Sequence, residues 1–160
     1  MVTTKKHILS LLREVHDPEI PVLNIVELGI VHNVEIRGEQ IHVAITPTYS
    51  GCPAMQMIRN DIIGTLNNNG FHDVKINTVY SPAWTSNKLD ASAKEKLKEF
   101  GIAPPENTSE VVVALPDSRM KCPFCNSLNT ELRSEFSSTA CKSLYFCNDC
   151  SQPFEHFKEL

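Results

Sequence analysis

A chain of 160 residues with 41% hydrophobic and 21% charged residues has the composition of a soluble globular protein, long enough for one domain or for a domain plus a small satellite. Its formal charge of -4 is uneven: residues 1–117 carry 10 Lys/Arg against 14 Asp/Glu, whereas residues 118–160 carry five of each, so nothing is basic enough for a nucleic-acid surface. No apolar run approaches the ~18 residues of a membrane span, and the short apolar cluster at 8–12 is followed by Arg13 and Glu14 with no small-residue cleavage site. A cytoplasmic protein without membrane or nucleic-acid partners is therefore expected.

Along the chain, Ile8, Leu11, Leu12 and Val15 recur at helical spacing, with Thr3 or Thr4 as cap and Asp17-Pro18 as the stop. Pro18 and Pro21 hold 17–23 in an irregular loop. Strands are expected over 30–36 and 41–46, joined by a short turn at Arg37-Gly38-Glu39. Met55, Ile58, Ile62 and Leu66 mark a second helix that ends at Asn67-Asn68-Asn69-Gly70. A third strand over 74–80 precedes a third helix with Leu89, Ala93, Leu97 and Phe100 on one face, closed by Gly101 and Pro104-Pro105. The expected organisation is an α+β domain over 1–105, a linker or docking strand over 106–119 with the apolar run 111–115, and a cysteine-rich module over 120–160.

That module carries two C-x-x-C pairs, Cys122/Cys125 and Cys147/Cys150, separated by 21 residues that contain two strand-like runs, 130–136 and 143–146. Each pair turns two thiolates toward one point, and two such knuckles complete a tetrahedral four-sulfur site. The pattern reads as a zinc ribbon in which zinc is structural, because protein fills all four positions. A redox dithiol and an iron–sulfur cluster are the rival readings. Cys141 is a spare thiol: a packed or surface residue of the hairpin, or an additional or exchanging ligand.

Cys52 stands alone in the stretch Tyr49-Ser50-Gly51-Cys52-Pro53. Pro53 suits the first position of a helix, which puts Cys52 at or beside the N-cap, where free N–H groups are expected to lower its pKa. A buried structural cysteine and a reactive or metal-binding one remain open. Asp17 and Glu19 flank Pro18 and either brace a turn or take part in proton transfer. His42 and His72 offer no catalytic set.

These residues fall into a familiar arrangement. Asp17-Pro18-Glu19, then Val26-Glu27-Leu28-Gly29-Ile30-Val31, then Thr46-Pro47-Thr48 leading to Cys52-Pro53, resemble the MIP18 family (domain of unknown function 59), which is associated with iron–sulfur cluster assembly and delivery. Ser81-Pro82-Ala83-Trp84-Thr85, Gly101-Ile102-Ala103-Pro104-Pro105, and Ser138-Thr139-Ala140-Cys141-Lys142 before Pro153-Phe154 resemble the branch formed by the D-type components of bacterial phenylacetyl-CoA epoxidases. Ser137 departs from that branch, where glycine is expected.

The resemblance implies a MIP18-like α+β domain followed by a zinc ribbon, and a non-catalytic accessory role in aerobic phenylacetate degradation. It implies Cys52 as a transient ligand for iron or an iron–sulfur cluster, with Asp17, Glu19 and Thr46 supporting the site. The implied partners are the other epoxidase subunits, above all the iron–sulfur reductase. A homodimer fits too, because one cysteine does not satisfy a cluster. The alternative is a stable structural component of the oxygenase complex without cluster chemistry. A thiol oxidoreductase is disfavoured by the lack of a C-x-x-C outside the ribbon.

Overall fold

The computed structural model describes residues 3–106 and 119–159. They pack as two compact units, Met1–Leu89 and Asp90–Leu160. In the first, helix α1 (Lys5–Leu12) starts where Thr4 accepts a hydrogen bond from the His7 N–H at 3.2 Å. It closes at Leu12, before the Asp17-Pro18 stop, and buries Ile8, Leu11 and Leu12. Strands β1 (Val31–Arg37) and β2 (Gln40–Ile45) form an antiparallel hairpin with Arg37 opposite Gln40. Helix α2 (Ala54–Asn68) then returns the chain so that β3 (Val74–Thr78) lies parallel to β2, giving the order β1-β2-β3.

The alternation of β2 decides which face is dry. Ile41, Val43 and Ile45 are buried with Val34, and α2 contributes Ile58, Ile62 and Leu66 at helical spacing. Each such side chain contributes roughly 1.5–3 kcal/mol of burial. Asn33, Glu35, Arg37, His42 and Asn77 line a shallow polar depression on the sheet. Helix α2 ends as its asparagine run indicates, with the Phe71 N–H donating to Leu66 O at 3.0 Å and the Gly70 N–H to Asn67 O at 3.0 Å.

Two side-chain-capped turns fix the loop between α1 and β1. Asp17 Oδ1 accepts from the N–H groups of Glu19 at 2.7 Å and Ile20 at 2.9 Å. Asn24 Oδ1 accepts from Val26 and Glu27, while Glu27 Oε2 accepts the Asn24 N–H at 3.3 Å, a reciprocal capping box. Gly29 closes this second turn at φ 73, and buried Trp84 donates its indole N–H to Leu28 O at 2.8 Å.

The second unit contains helix α3 (Ala91–Glu99), capped by Asp90, and strands β4 (Ile102–Ala103), β5 (Thr130–Ser134), β6 (Lys142–Cys147) and β7 (Gln152–Phe157), in the sheet order β4-β7-β6-β5. The sequence pattern extends the first domain to residue 105, whereas α3 and β4 cluster with the ribbon. The cause is a backbone ladder: β4 pairs in parallel with β7, Ile102 against Glu155 and Ala103 against His156. Ala93 and Leu97 are buried as expected, but Phe100 is 56% exposed. Most of the linker expected over 106–119, with its run 111–115, lies outside the described residues. Strand β7 has no counterpart among the expected elements, since Pro153 and Glu155 obscure its period.

Glu155 is stabilised on β7 by neighbours from β6 and its approach. Burial works to raise its pKa, but the Lys142 ammonium at 2.8 Å and the hydroxyls of Ser137 and Ser138 bring it down to about 2. Ser137 thus acts as a donor where glycine is expected. It does not adopt left-handed backbone geometry, which among the described non-glycine residues belongs to Asn126 and Ser151.

Gly29→Ala is expected to destabilise the first unit by about 2 kcal/mol or more, because a Cβ at positive φ is strained and would sit 2.8 Å from Lys88 Cβ. Urea unfolding checks this; a loss under ~0.5 kcal/mol would show that the turn tolerates a side chain.

Candidate functional site

Two sulfur-bearing sites stand out, one in each unit. In the second, a tight turn built on Cys122 and the turn after Cys147 point four sulfurs at one another. The Cys122 N–H donates to Ser127 O at 2.9 Å and the Asn126 N–H to Cys122 O at 3.0 Å. All four Sγ atoms of Cys122, Cys125, Cys147 and Cys150 lie within 4.8 Å of one another. Cys122 to Cys150 is 3.7 Å and Cys125 to Cys147 is 3.6 Å.

A metal ion with ~2.3 Å bonds to four tetrahedral thiolates holds them about 3.8 Å apart, so the set fits a single ion. A cluster would need wider spacing, because its own iron and sulfide atoms must lie between the thiolates. The protonation behaviour fits thiolates that need a cation among them. The Cys150 N–H, ahead of other donors, draws the Cys147 pKa down to about 7, whereas burial and the neighbouring thiols push Cys150 up to about 12.

The knuckles are braced by a residue that sequence reasoning misses. Asp149 accepts from Ser127 Oγ at 2.5 Å and Asn129 Nδ2 at 2.7 Å, tying one C-x-x-C turn to the other. Those two hydrogen bonds lower its pKa, Ser127 first. Its place inside Cys147-Asn148-Asp149-Cys150 is the available signal. Cys141 is buried outside the four-sulfur cluster, with Thr139 Oγ1 3.1 Å from its sulfur.

In the first unit, Cys52 sits half-buried at the entrance to α2. The turn Tyr49-Ser50-Gly51-Cys52 is closed by the Cys52 N–H to Tyr49 O at 3.3 Å, and Gly51 supplies the φ of 80 that it requires. Pro53, with helical angles, is itself the N-cap, one position later than the sequence suggests and without a side-chain cap bond, while the Ala54 N–H still works to lower the pKa of the Cys52 sulfur.

The expected lowering of the thiol pKa does not hold. Burial raises it most; the Ala54 N–H and the Tyr49 hydroxyl pull it down, but the charges of Glu19 and Asp17 add to burial and the net direction is upward. The helix-start donor is present as anticipated and is outweighed. Asp17 is buried and Glu19 half-buried, so the capped loop brings two carboxylates to bear on the sulfur. Thr46, just past the end of β2, is 1% exposed, and its Oγ1 makes no hydrogen bond to any described residue. His42 lies on the sheet, bonded to Gln40, and His72 in the β3 approach; neither bears on the thiol in this way.

Comparison with known proteins places both units. Residues 5–77 match the family model of the iron–sulfur cluster assembly protein, and residues 106–158 match that of the PaaD zinc beta ribbon domain. An Escherichia coli protein named as a subunit of 1,2-phenylacetyl-CoA epoxidase is 46% identical, covering 94% of this chain and 90% of its own. An iron–sulfur protein maturation auxiliary factor of Porphyromonas gingivalis is 36% identical over 62% of this chain and 92% of its own. Among solved structures, a domain of unknown function 59 from Bacillus anthracis is 28% identical with a TM-score of 0.55, over 58% of this chain and 90% of that one. No helix among the described residues is long and apolar enough to cross a membrane.

Two outcomes follow from these geometries. Glu19→Gln removes one anion facing the thiol, so the pH profile of Cys52 alkylation by iodoacetamide, followed by peptide mass mapping, should move to lower pH; an unmoved profile would mean that Glu19 does not act on the sulfur. Chelation at neutral pH should melt β5–β7 while the β1–β3 unit persists, because the ion supplies roughly 10 kcal/mol or more in small metal-folded modules. Amide exchange resolves the two units, and retained protection in β6 after metal removal would contradict the assignment.

Proposed function

The chain belongs to the iron–sulfur cluster assembly (domain of unknown function 59) family, in the branch that carries a PaaD zinc beta ribbon, and from that premise we propose that it is a non-catalytic accessory factor which helps load iron–sulfur cargo into a phenylacetyl-CoA epoxidase system. Zinc is the resident ion of the ribbon, held by Cys122, Cys125, Cys147 and Cys150, and its role is structural. The cargo site is Cys52.

The observation that carries this reading is a half-buried thiol at the start of α2 whose ionisation is opposed by its burial and by the charges of Glu19 and Asp17. A thiol whose ionisation is opposed by Asp17 and Glu19 becomes a good ligand only when a cation arrives to offset all three charges. One sulfur leaves most coordination positions of iron or of a cluster unfilled, so the cargo stays exchangeable unless a second protein or a second copy completes the set. Asp17 already braces its own turn through Oδ1, which makes it the residue that shapes the loop, with Glu19 carried on it. Thr46 Oγ1 is a buried oxygen without a described partner, and we assign it to support of the same site. We take the reductase component as the recipient.

A second reading, as a stable structural component of the complex, draws on the name of the Escherichia coli relative. The two separate in one experiment: iron, zinc and acid-labile sulfide are measured on wild type and Cys52→Ser isolated without oxygen, followed by cluster loading of the reductase component. The expected result is equal zinc in both proteins, iron and sulfide in the wild type alone, and loading reduced severalfold by the substitution. Equal loading by both proteins, with both held at fixed stoichiometry in the complex, would replace the maturation role with the structural one.

A further inference from the structure

The ribbon unit carries a groove that the metal site and the Cys52 chemistry leave unused. Its walls are Ala103, Pro104 and Pro105 after β4 and Met120 and Pro123 on the approach to the first knuckle, enclosing about 130 Å³ of mainly apolar space. A small-molecule or cofactor site usually needs several hundred cubic ångströms, whereas this volume suits a single large side chain. Three of the five walls are prolines and offer no N–H, so a guest cannot be held here by strand pairing to those residues. Recognition must come from an inserted side chain and from charge at the rim.

The rim supplies both. Phe124, 54% exposed, lies so close to the backbone at Gly101 that a Cβ there would be 3.0 Å from its ring, and Phe100 next to it is 56% exposed. Phe124 follows the lining residue Pro123 in the chain, and an exposed aromatic near a small apolar socket suits an anchor residue. Lys98, in the last turn of α3, and Lys121 flank the socket, with Glu106 as the one acidic residue of its lining among the described residues. The unit as a whole carries eight Lys/Arg against eleven Asp/Glu, so two lysines against one glutamate in the described lining run against the charge of the module, with the Glu159 carboxylate held at the edge by the Glu106 N–H at 2.9 Å. A guest of opposite charge is favoured there.

We propose that this groove is a protein-docking site for a partner segment that presents one large apolar side chain flanked by carboxylates. Because Cys122 and Asn126 line the groove, its shape depends on the metal-bound knuckle, and binding is lost when the ion is removed. The inference rests on the accessory reading only in requiring a protein partner; the Cys52→Ser experiment can fail without affecting it.

The test is selection of peptides from a random displayed library on the zinc-loaded full chain. The expected winners carry a Leu, Ile, Met or aromatic anchor with Asp or Glu on either side. They should bind about tenfold or more weakly to Lys98→Glu/Lys121→Glu and to Phe124→Ser, both checked for full zinc content. Charge-reversed versions of the winning peptides should regain affinity for the double-glutamate variant. No enrichment, winners without acidic flanks, or winners indifferent to these substitutions would each overturn the proposal. So would sedimentation showing a dimer of the wild type that Phe124→Ser dissociates, since the occupant would then be a second copy of the chain.

Discussion

Sulfur placed close to other negative charge is the constraint on which both units turn. In the ribbon, four thiols lie within 4.8 Å of one another, and they cannot all ionise there unless a cation sits among them. At the start of α2, one thiol is raised by burial and by two carboxylates. The same electrostatic condition has different consequences because the surroundings differ. The ribbon core is built from Ala103, Cys122, Tyr145, Cys147 and Phe154, with Met120 and Cys150 packed against it. Three of those seven side chains are metal ligands, so the sulfur site and the hydrophobic core are one structure, and so small a core has little stability apart from its ion.

The first unit has an independent core and can leave its thiol unsatisfied. What it must do instead is hold the Asp17–Glu19 loop in place without regular secondary structure. It does so with locally closed turns: Asp17 caps one, the Asn24/Glu27 capping box holds the next, and Trp84 secures Leu28 O from a segment far along the chain. Every one of these bonds ends on a backbone group that a buried loop would otherwise strand. The loop can therefore run through the buried part of the unit and still carry charge to the sulfur.

How far this was legible depended on whether the signal was local. Helix α2 and its asparagine-rich end, the β1–β2 hairpin and the two C-x-x-C pairs follow from period, turn residues and spacing, all of which a short window contains. Strand β7 does not: Glu155 reads as a solvent residue until Lys142 on β6 neutralises it, and His156 is buried between strands. The placement of α3 and β4 with the ribbon turned on a two-residue parallel pairing to β7, more than fifty positions away, which no local pattern encodes. At Cys52 the helix-start donor was readable from Pro53, whereas the opposing charges arrive from a loop more than thirty residues upstream. The sign of the thiol's shift was for that reason the part the sequence could not supply.

The contrast between the two sulfur sites bears on what each can retain. Four converging thiolates, braced by Asp149 across the knuckles, present a complete and preorganised shell, so an ion bound there gives up nothing by staying. One thiol offers a single ligand, and a cation bound to it would keep positions for another molecule's donors. Retention follows from the first arrangement and exchange from the second. On the proposed reading, a module with a structural ion and a docking groove, joined in one chain to a site suited to exchange, would have the parts that handing cargo to a bound partner requires: the first would fix where the partner sits, and the second would let the cargo leave.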